Sequence, residues 1–245
     1  GAVNFAADVT FATGADIITG AAGASTVRIG LNTGDSVTSS GIKNTLVGDT
    51  SGTALTDGNR NVAVGFESLQ SDTKGSRSIA VGHQALNQQN FTSATDAYNT
   101  AVGHNAGGAV TTGVQNTLIG GLAGDANTTG LGNTALGYSA LGANTTGANN
   151  TAIGRDSLLI ATTASDNVAV GREAMKRATD GHSNTAIGTE ALKETTTGDY
   201  NTAVGNDALL SNTTADNNTA VGHNALSATD TGFSNVAVGK DAGDS

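Results

Sequence analysis

The chain has no cysteine, no proline and no tryptophan, and only 3% of its 245 residues are aromatic. Without cysteine there can be no disulfide or thiolate metal site, and so few large rings cannot fill an ordinary globular core. A formal net charge of -10 disfavours nucleic acid and anionic membranes as partners. The sequence contains no run of 18 or more apolar residues, so it predicts no membrane helix. What remains is an architecture that needs no bulky core.

One short phrase, typified by "NTAVG", fills most of the sequence. Its glycine recurs with a 17-residue period, except for a first step of 18 and a step of 21 between Gly82 and Gly103. We number each unit so that the Asn is position 1 and this Gly is position 5. The pattern predicts thirteen units in a repeat domain over residues 26–245, with a four-residue insertion between 83 and 103. Residues 1–25 do not fit the repeat and are predicted to form a cap or a lead-in strand, because residues 3–11 alternate between two faces in the manner of a half-buried strand.

Each position of the repeat predicts a structural role. Position 4 is always aliphatic and is expected to point into a continuous apolar seam, with position 2 on the same face of a strand. Position 3 is Ala in ten units, which predicts close packing against the opposite face, and the Leu at position 9 predicts a second short strand. The glycines at positions 5 and 15 predict corners with positive φ or close backbone approach. Three consecutive units carry the pattern most clearly: Asn184, Ile187, Gly188; Asn201, Val204, Gly205; Asn218, Val221, Gly222.

A 17-residue unit is too short for a helix pair, and Asn, Thr, Gly and β-branched residues disfavour helix. We therefore predict an all-β fold, a parallel β-solenoid or β-roll of about thirteen 17-residue coils, roughly 60 Å long at about 4.8 Å per coil. The Asn column at position 1 is expected to form hydrogen bonds from coil to coil. Few large apolar groups per coil make an isolated roll marginally stable. The small residues at positions 3 and 8 are therefore expected to face neighbouring copies in a homotrimeric fibre, either intertwined or side by side.

The phrases "NTAIG" at 184–188 and "NVAVG" at 167–171 resemble the head repeat of the YadA-like trimeric autotransporter adhesins. The longer phrase "NTAVGxxALxxxTTGxxN" more closely resembles repeats in the trimeric fibres of tailed bacteriophages. The resemblance covers about 90% of the chain and implies a left-handed parallel β-roll. It also implies that flanking fibre or chaperone domains outside this sequence anchor the rod and nucleate the trimer. The 17-residue unit is longer than the repeat typical of adhesin heads.

The resemblance implies an extracellular structural fibre segment, a rigid spacer and receptor-contacting shaft of a phage tail fibre in the virion. The alternative is the head of a bacterial adhesin at the cell surface. In either case the implied partners are further copies of the chain and a surface glycan or protein receptor.

Two residue columns suggest functions of a different kind. A polysaccharide-degrading tailspike would need two of the acids that share position 7, although we expect them to form a solvated acidic ladder rather than catalytic residues. An ice-binding solenoid would need flat rows of Thr, but adjacent Thr residues such as 145 and 146 are expected to point to opposite faces. The sequence predicts no catalytic residue and no cofactor. The six acids at position 7 are Glu67, Asp156, Glu173, Glu190, Asp207 and Asp241.

Candidate ligand-contact residues are few. His83, His104 and His223 share position 6 and could form rings around a trimer axis, but we expect this variable column to face solvent and predict no metal site. The insertion breaks the repeat and combines amides with aromatics, a composition suited to a sugar or protein receptor. Its candidate receptor contacts are Gln88, Gln89, Asn90, Phe91 and Tyr98.

Overall fold

The computed structural model describes residues 26–244, which form a parallel β-solenoid. Thirteen short strands stack in chain order into one parallel sheet, and each strand pairs with the same positions of the next coil. The predicted all-β solenoid of 17-residue coils is confirmed. The predicted cap at 1–25 lies outside the described residues.

The strands of the main sheet are three residues long and occupy positions 2 to 4 of each coil, while Gly75–Ser76 and Thr95–Asp96 form a separate two-stranded sheet at the insertion. The bounds are β1 Val27–Ile29, β2 Thr45–Val47, β3 Val62–Val64, β4 Gly75–Ser76, β5 Ile79–Val81, β6 Thr95–Asp96, β7 Thr100–Val102, β8 Thr117–Ile119, β9 Thr134–Leu136, β10 Thr151–Ile153, β11 Val168–Val170, β12 Thr185–Ile187, β13 Thr202–Val204, β14 Thr219–Val221 and β15 Val236–Val238.

The two faces of the main sheet are the reverse of the prediction. The side chain at position 3, such as Ala186, is fully buried inside the coil, whereas Ile187 at position 4 is 41% exposed. Positions 2 and 4 point outward from the rod along its whole length. The prediction that position 4 lines an inner seam and that position 3 meets a neighbour is therefore wrong. Ala is favoured at position 3 because the interior of a 17-residue coil is narrow.

The interior also receives positions 1, 8, 9, 12 and 15. Leu192 at position 9 is buried, but it lies in a bend with φ of 52° and not on a strand. The predicted second strand is therefore wrong for the regular coils. Left-handed backbone at this position explains why Gly replaces Leu in five units, since Gly adopts positive φ without steric cost.

Positions 3 and 9 exchange interior volume in two of the coils. Leu46 and Leu118 replace the usual Ala at position 3, and in both coils position 9 is Gly instead of Leu. A Cβ on Gly124 would come within 2.7 Å of Leu118 Cδ2, so the two large side chains cannot coexist in one coil. In these two coils the large group therefore lies at position 3 instead of position 9. The coil with Ala101 and Gly107 has neither, and the space at Gly107 is taken by Leu118, Leu86 and Val110.

Stacked glycines at position 5 form the corner after each strand. Their φ values lie between 124° and 140°, and a Cβ on Gly137 would lie 2.7 Å from the carbonyl of Gly154 in the next coil. Glycines at position 15 have no such φ but are equally close to the next coil: a Cβ on Gly198 would lie 2.6 Å from the Ala215 carbonyl oxygen. The predicted corners are confirmed at both glycine columns. Of these two columns, the one at position 5 has positive φ and the one at position 15 does not.

A buried column of asparagines runs through the rod, as predicted. Asn167 Nδ2 donates to the Gly181 carbonyl of its own coil at 2.7 Å, and its Oδ1 accepts the backbone N–H of Asn184 at 2.9 Å. Its Nδ2 also lies 3.2 Å from Oδ1 of Asn150. Each amide therefore closes its own coil and fixes the register of the next.

Replacing Asn167 with Ala should lower the free energy of unfolding by about 2 to 5 kcal/mol, because two buried backbone groups lose their partners. Asn206→Ala, at an exposed position 6, is the matched control and should cost under about 0.5 kcal/mol. Urea denaturation followed by circular dichroism measures both. Equal effects would contradict a structural role for the buried amide.

Gly137→Ala should prevent or severely weaken folding, because both its φ of 140° and the Gly154 carbonyl exclude a Cβ. Gly121→Ala is the control, since a Cβ there meets only Tyr138 Cδ2 and Cε2, at 3.6 and 3.9 Å. Thermal denaturation should give a wild-type midpoint for the control alone. An unchanged midpoint for Gly137→Ala would refute the corner role.

Candidate functional site

The insertion places only some of the predicted receptor contacts on the surface. Gln88, Asn90 and Tyr98 are exposed, whereas Gln89 is fully buried and Phe91 is 6% exposed. Gln89 and Phe91 therefore belong to the interior and are not accessible to a receptor. The predicted receptor contacts are therefore reduced to Gln88, Asn90 and Tyr98.

At the coil where Ser78 stands in place of the position-1 Asn, Gln89 forms the side-chain hydrogen bond to the next Asn of the column, Asn99. Gln89 Oε1 accepts from Asn99 Nδ2 at 2.8 Å, and its Nε2 donates to Ser78 Oγ at 3.0 Å and to Asp72 Oδ2 at 2.7 Å. The other carboxylate oxygen of Asp72 accepts the backbone N–H groups of Gly75 and Phe91, both at 3.0 Å. Burial raises the pKa of Asp72, while these hydrogen bonds act in the opposite direction. The insertion is thus anchored from within.

Outside this anchor lies a small polar cluster. The Arg77 guanidinium sits 5.5 Å above the Tyr98 ring, and its Nε lies 2.8 Å from Asp96 Oδ1. The ion pair raises the pKa of Arg77. Gln88 and Asn90 lie on an earlier stretch of the coil, where Asn90 Oδ1 accepts from Thr73 Oγ1 at 3.1 Å. Tyr98 is therefore positioned by charged neighbours and not by the two amides.

The histidines at position 6 face solvent, as predicted. His83 and His104 stack on each other with ring centroids 5.1 Å apart, and Phe66 stacks on His83 at 5.3 Å. His223 lies several coils away, 3.8 Å from Asp241. Across residues 26–244 no group of three or more His, Asp and Glu side chains is arranged to hold a metal ion. The aromatic stack itself was not predicted, because position 6 varies too much to indicate one surface.

The acids at position 7 do not all form a solvated ladder. Glu173 Oε2 lies 3.1 Å from Lys193 Nζ and 3.4 Å from Lys176 Nζ, while its Oε1 lies 2.9 Å from Arg172 Nη1. Glu190 contacts Arg172 at 2.6 Å and Lys193 at 2.9 Å. Hydrogen bonds from Lys193 lower the pKa of both carboxyls. A glycosidase acid and base would need pKa values that move apart, so this pair has an ion-pairing role.

The Thr columns hold coils together, as predicted. Thr145 Oγ1 donates to the carbonyl of Thr162 at 3.0 Å, and the same bond recurs at position 13 of the neighbouring coils. The premise that adjacent threonines point to opposite faces is wrong, because the chain bends there and both Thr145 and Thr146 reach the surface. A thermal-hysteresis assay therefore still separates an ice-binding rod from the fibre proposed below.

Position 12 is a core position that the repeat pattern did not predict. It holds buried Leu55 and Val110 in two coils but buried Asp72, Gln89 and Asn144 in others. Because polar and apolar residues both occur at position 12, the sequence does not show it as an apolar column. The apolar residues that do occur there recur at the coil period, and this recurrence could have indicated a core position. Polar side chains are tolerated there because they form hydrogen bonds, either to backbone, as Asn144 Nδ2 does to the Gly147 carbonyl at 3.0 Å, or to side chains, as Gln89 does. The buried apolar members are Leu55, Val110, Ala161 and Ala178.

Positions 2 and 4 form an outward stripe along the main sheet. Position 4 is aliphatic throughout and position 2 is Thr, Val or Ile, with no charged residue in any of the thirteen coils. Leu136 and Ile187 are 45% and 41% exposed. This apolar stripe, defined by positions 2 and 4 of every coil, stays at least partly exposed along residues 26–244.

No protein-family model matches the chain, and no curated protein or solved structure is similar enough to count as a match. The likeness to trimeric fibres therefore remains a prediction from the repeat. None of the described residues belongs to a helix that is long and apolar enough to cross a membrane.

Glu173→Gln should lower stability at pH 7 by about 1 kcal/mol, because several cations lose their partner. The folded pKa of Glu173 lies below the ordinary value of 4.5. Its ion pairs therefore stabilise the fold above about pH 4.5, and this stability is lost as the pH falls through the lowered folded pKa. The difference between variant and wild type should accordingly vanish in strong acid.

Denaturation midpoints measured from pH 3 to 8 test this, with Glu194→Gln as control because its single ion pair with Arg177 is exposed. The control should change stability by less than about 0.5 kcal/mol at every pH. A gap for Glu173→Gln that persists unchanged in acid would rule out charge pairing as the cause.

Proposed function

We propose that the chain is a rigid segment of a homotrimeric extracellular fibre that attaches a particle to a host or other surface, as in a bacteriophage tail fibre. The observation that carries this proposal is the apolar stripe at positions 2 and 4. An uncharged stripe along a chain of net charge -10 is suited to contact between copies, because it brings no like charges together.

The size of the stripe supports this interpretation. At about 4.8 Å per coil and about 3.3 Å per residue, thirteen coils give a band roughly 60 Å long and 7 Å wide. That is a band on the order of 400 Å² per chain, which is in the size range of the largest patch on a soluble monomer, and such a patch is often a binding site. Position 4 of the band is aliphatic throughout, and position 2 is Thr in eight of the thirteen coils. The interior of each coil is already filled and residues 26–244 leave the stripe partly exposed, so a second copy of the chain could bury it.

The copy number of three comes from the resemblance to trimeric fibres, and the contact face comes from the solenoid geometry. The proposed interface is the apolar stripe and not the small residues at positions 3 and 8, because those residues lie inside the coil. Gln88, Asn90 and Tyr98, exposed at the insertion, are the proposed receptor contacts on the shaft. The bacterial adhesin head remains the alternative, distinguished by a membrane anchor instead of a fibre chaperone in the parent protein.

Light scattering after size exclusion should give a mass of three times 23.9 kDa for the wild-type chain. The double variant Ile187→Lys, Val204→Lys places charges in the stripe and should run as a monomer with an unchanged β spectrum. The lysines are solvated in the monomer but would be buried without partners in the trimer.

Asn206→Lys is the control: it adds one lysine, against two in the double variant, at exposed position 6 off the stripe, and should remain trimeric. A wild-type chain that is monomeric at micromolar concentration would overturn the proposal. So would a trimer that tolerates both lysines, because the stripe would then not be the interface.

A further inference from the structure

The apolar stripe at positions 2 and 4 has two edges that carry different side chains. The entry edge is the last residue of each coil, which lies two residues before position 2 of the next strand. The exit edge is position 6, which lies two residues after position 4. Because each strand pairs with the same positions of the next coil, both edges run along the rod as columns of residues about 4.8 Å apart. A second copy packed on the stripe has these two columns at its margins.

The charges at the two edges are opposite wherever a strand has both. Lys43 precedes β2 and Asp49 follows it, whereas Asp166 precedes β11 and Arg172 follows that strand. The order of the signs is therefore reversed between β2 and β11. Three strands between them, β7 to β9, have no Lys, Arg, Asp or Glu at either edge, and no strand has the same sign at both edges.

Three of these four groups have no countercharge within residues 26–244. Lys43, Asp49 and Asp166 are exposed and form no ion pair with any described residue. Asp49 Oδ1 accepts the backbone N–H of Leu31 at 2.9 Å, and Asp166 Oδ1 accepts from Asn149 Nδ2 at 3.1 Å. Each carboxylate therefore has its second oxygen left for another partner.

Arg172 is the exception, because it already has partners in its own chain. Its Nη1 lies 2.9 Å from Glu173 Oε1, and its Nη2 lies 2.6 Å from Glu190 Oε1. A guanidinium has five N–H donors, so these two contacts leave donors for a carboxylate of a neighbouring copy. The side chain is 46% exposed and accessible to such a carboxylate.

We infer that copies of the chain pack in parallel and in register, with ion pairs from Lys43 to Asp49 and from Asp166 to Arg172 between neighbouring copies. Rotation about an axis parallel to the rod keeps each strand at one height and brings the entry edge of one copy beside the exit edge of the next. Both pairs then form at every junction, at two heights on the rod. The inference rests on the proposed function, because it assigns contacts at the same interface.

The two pairs together define the register. Exposed ion pairs contribute little affinity singly, but charge complementarity disfavours wrong arrangements. After a shift of one coil, either Lys43 would face Leu31 or Asp166 would face Thr189, so one pair is lost. Antiparallel copies would bring entry edges together, and the second strand of the main sheet would have to meet the ninth. Strands one to ten would then pair between copies, and the last three would lie outside the contact.

Charge reversal tests the pair at β2. Lys43→Asp and Asp49→Lys each place like charges at every junction and should raise the concentration at which half of the trimer dissociates about tenfold. The double variant Lys43→Asp, Asp49→Lys restores opposite charges and should return to the wild-type value. Because the two side chains form no ion pair within one chain, this rescue must arise between copies. Sedimentation equilibrium over a dilution series, in urea below the unfolding transition, measures the dissociation.

Gln115→Asp is the matched control, since it places the same side chain at the entry edge opposite uncharged Gly121, and it should dissociate like the wild type. Cross-linking gives a second readout, because the chain has no cysteine. With a short bismaleimide, the variant Lys43→Cys, Asp49→Cys should form a covalent trimer. The variant Lys43→Cys, Asp166→Cys should not, because both residues lie on the entry edge.

Two results would overturn the inference. One is that the single charge reversals dissociate like the wild type. The other is that Asp166→Lys, and not Asp49→Lys, rescues Lys43→Asp, which would show antiparallel copies. A monomeric wild-type chain would overturn the proposed function as well, whereas a trimer that is indifferent to these charges would overturn the inference alone. The mass measurement above therefore distinguishes the two failures.

Discussion

The buried amide column at position 1 is the interaction on which the rod depends. Each Asn donates to a carbonyl 14 residues later and accepts from the backbone 17 residues later. The first bond fixes where a coil closes, and the second fixes where the next coil begins. Strands of only three residues carry too few ladder bonds to set the register alone. The side-chain amide provides the missing constraint, in an interior where an unpaired polar group would be costly.

The coil that lacks this amide shows how strict the constraint is. Ser78 is too short to reach the next coil, and the side chain that takes over is Gln89, from position 12 of the same coil. The substitution requires Asp72 to hold Gln89, at the expense of burying a carboxylate. The four extra residues follow directly after this repaired section. Gln89 thus links Ser78 to the side chain of Asn99 in the next coil before the chain leaves the regular path.

The period and the amide column could be predicted from the sequence because both depend only on recurrence at the coil period. The direction of the strand faces could not, because alternation separates two faces without indicating which one is inside. A better signal was present: large residues at position 3, Leu46 and Leu118, coincide with Gly at position 9. Two positions that exchange volume must share one interior. The surface features, such as the stack of Phe66 on His83, depend on neighbouring coils and have no recurrent pattern to reveal them.

These constraints also determine where recognition can evolve on the rod. Positions 1, 3, 5, 8, 9, 12 and 15 are committed to the interior or the corners, and positions 2 and 4 to the apolar stripe. Ligand contacts must therefore come from the remaining positions, where side chains repeat at the coil spacing of about 4.8 Å. That spacing is too short for a ligand ring to enter between two adjacent planar side chains. A ligand ring on this surface must therefore lie across the side chains of several coils and not between two of them.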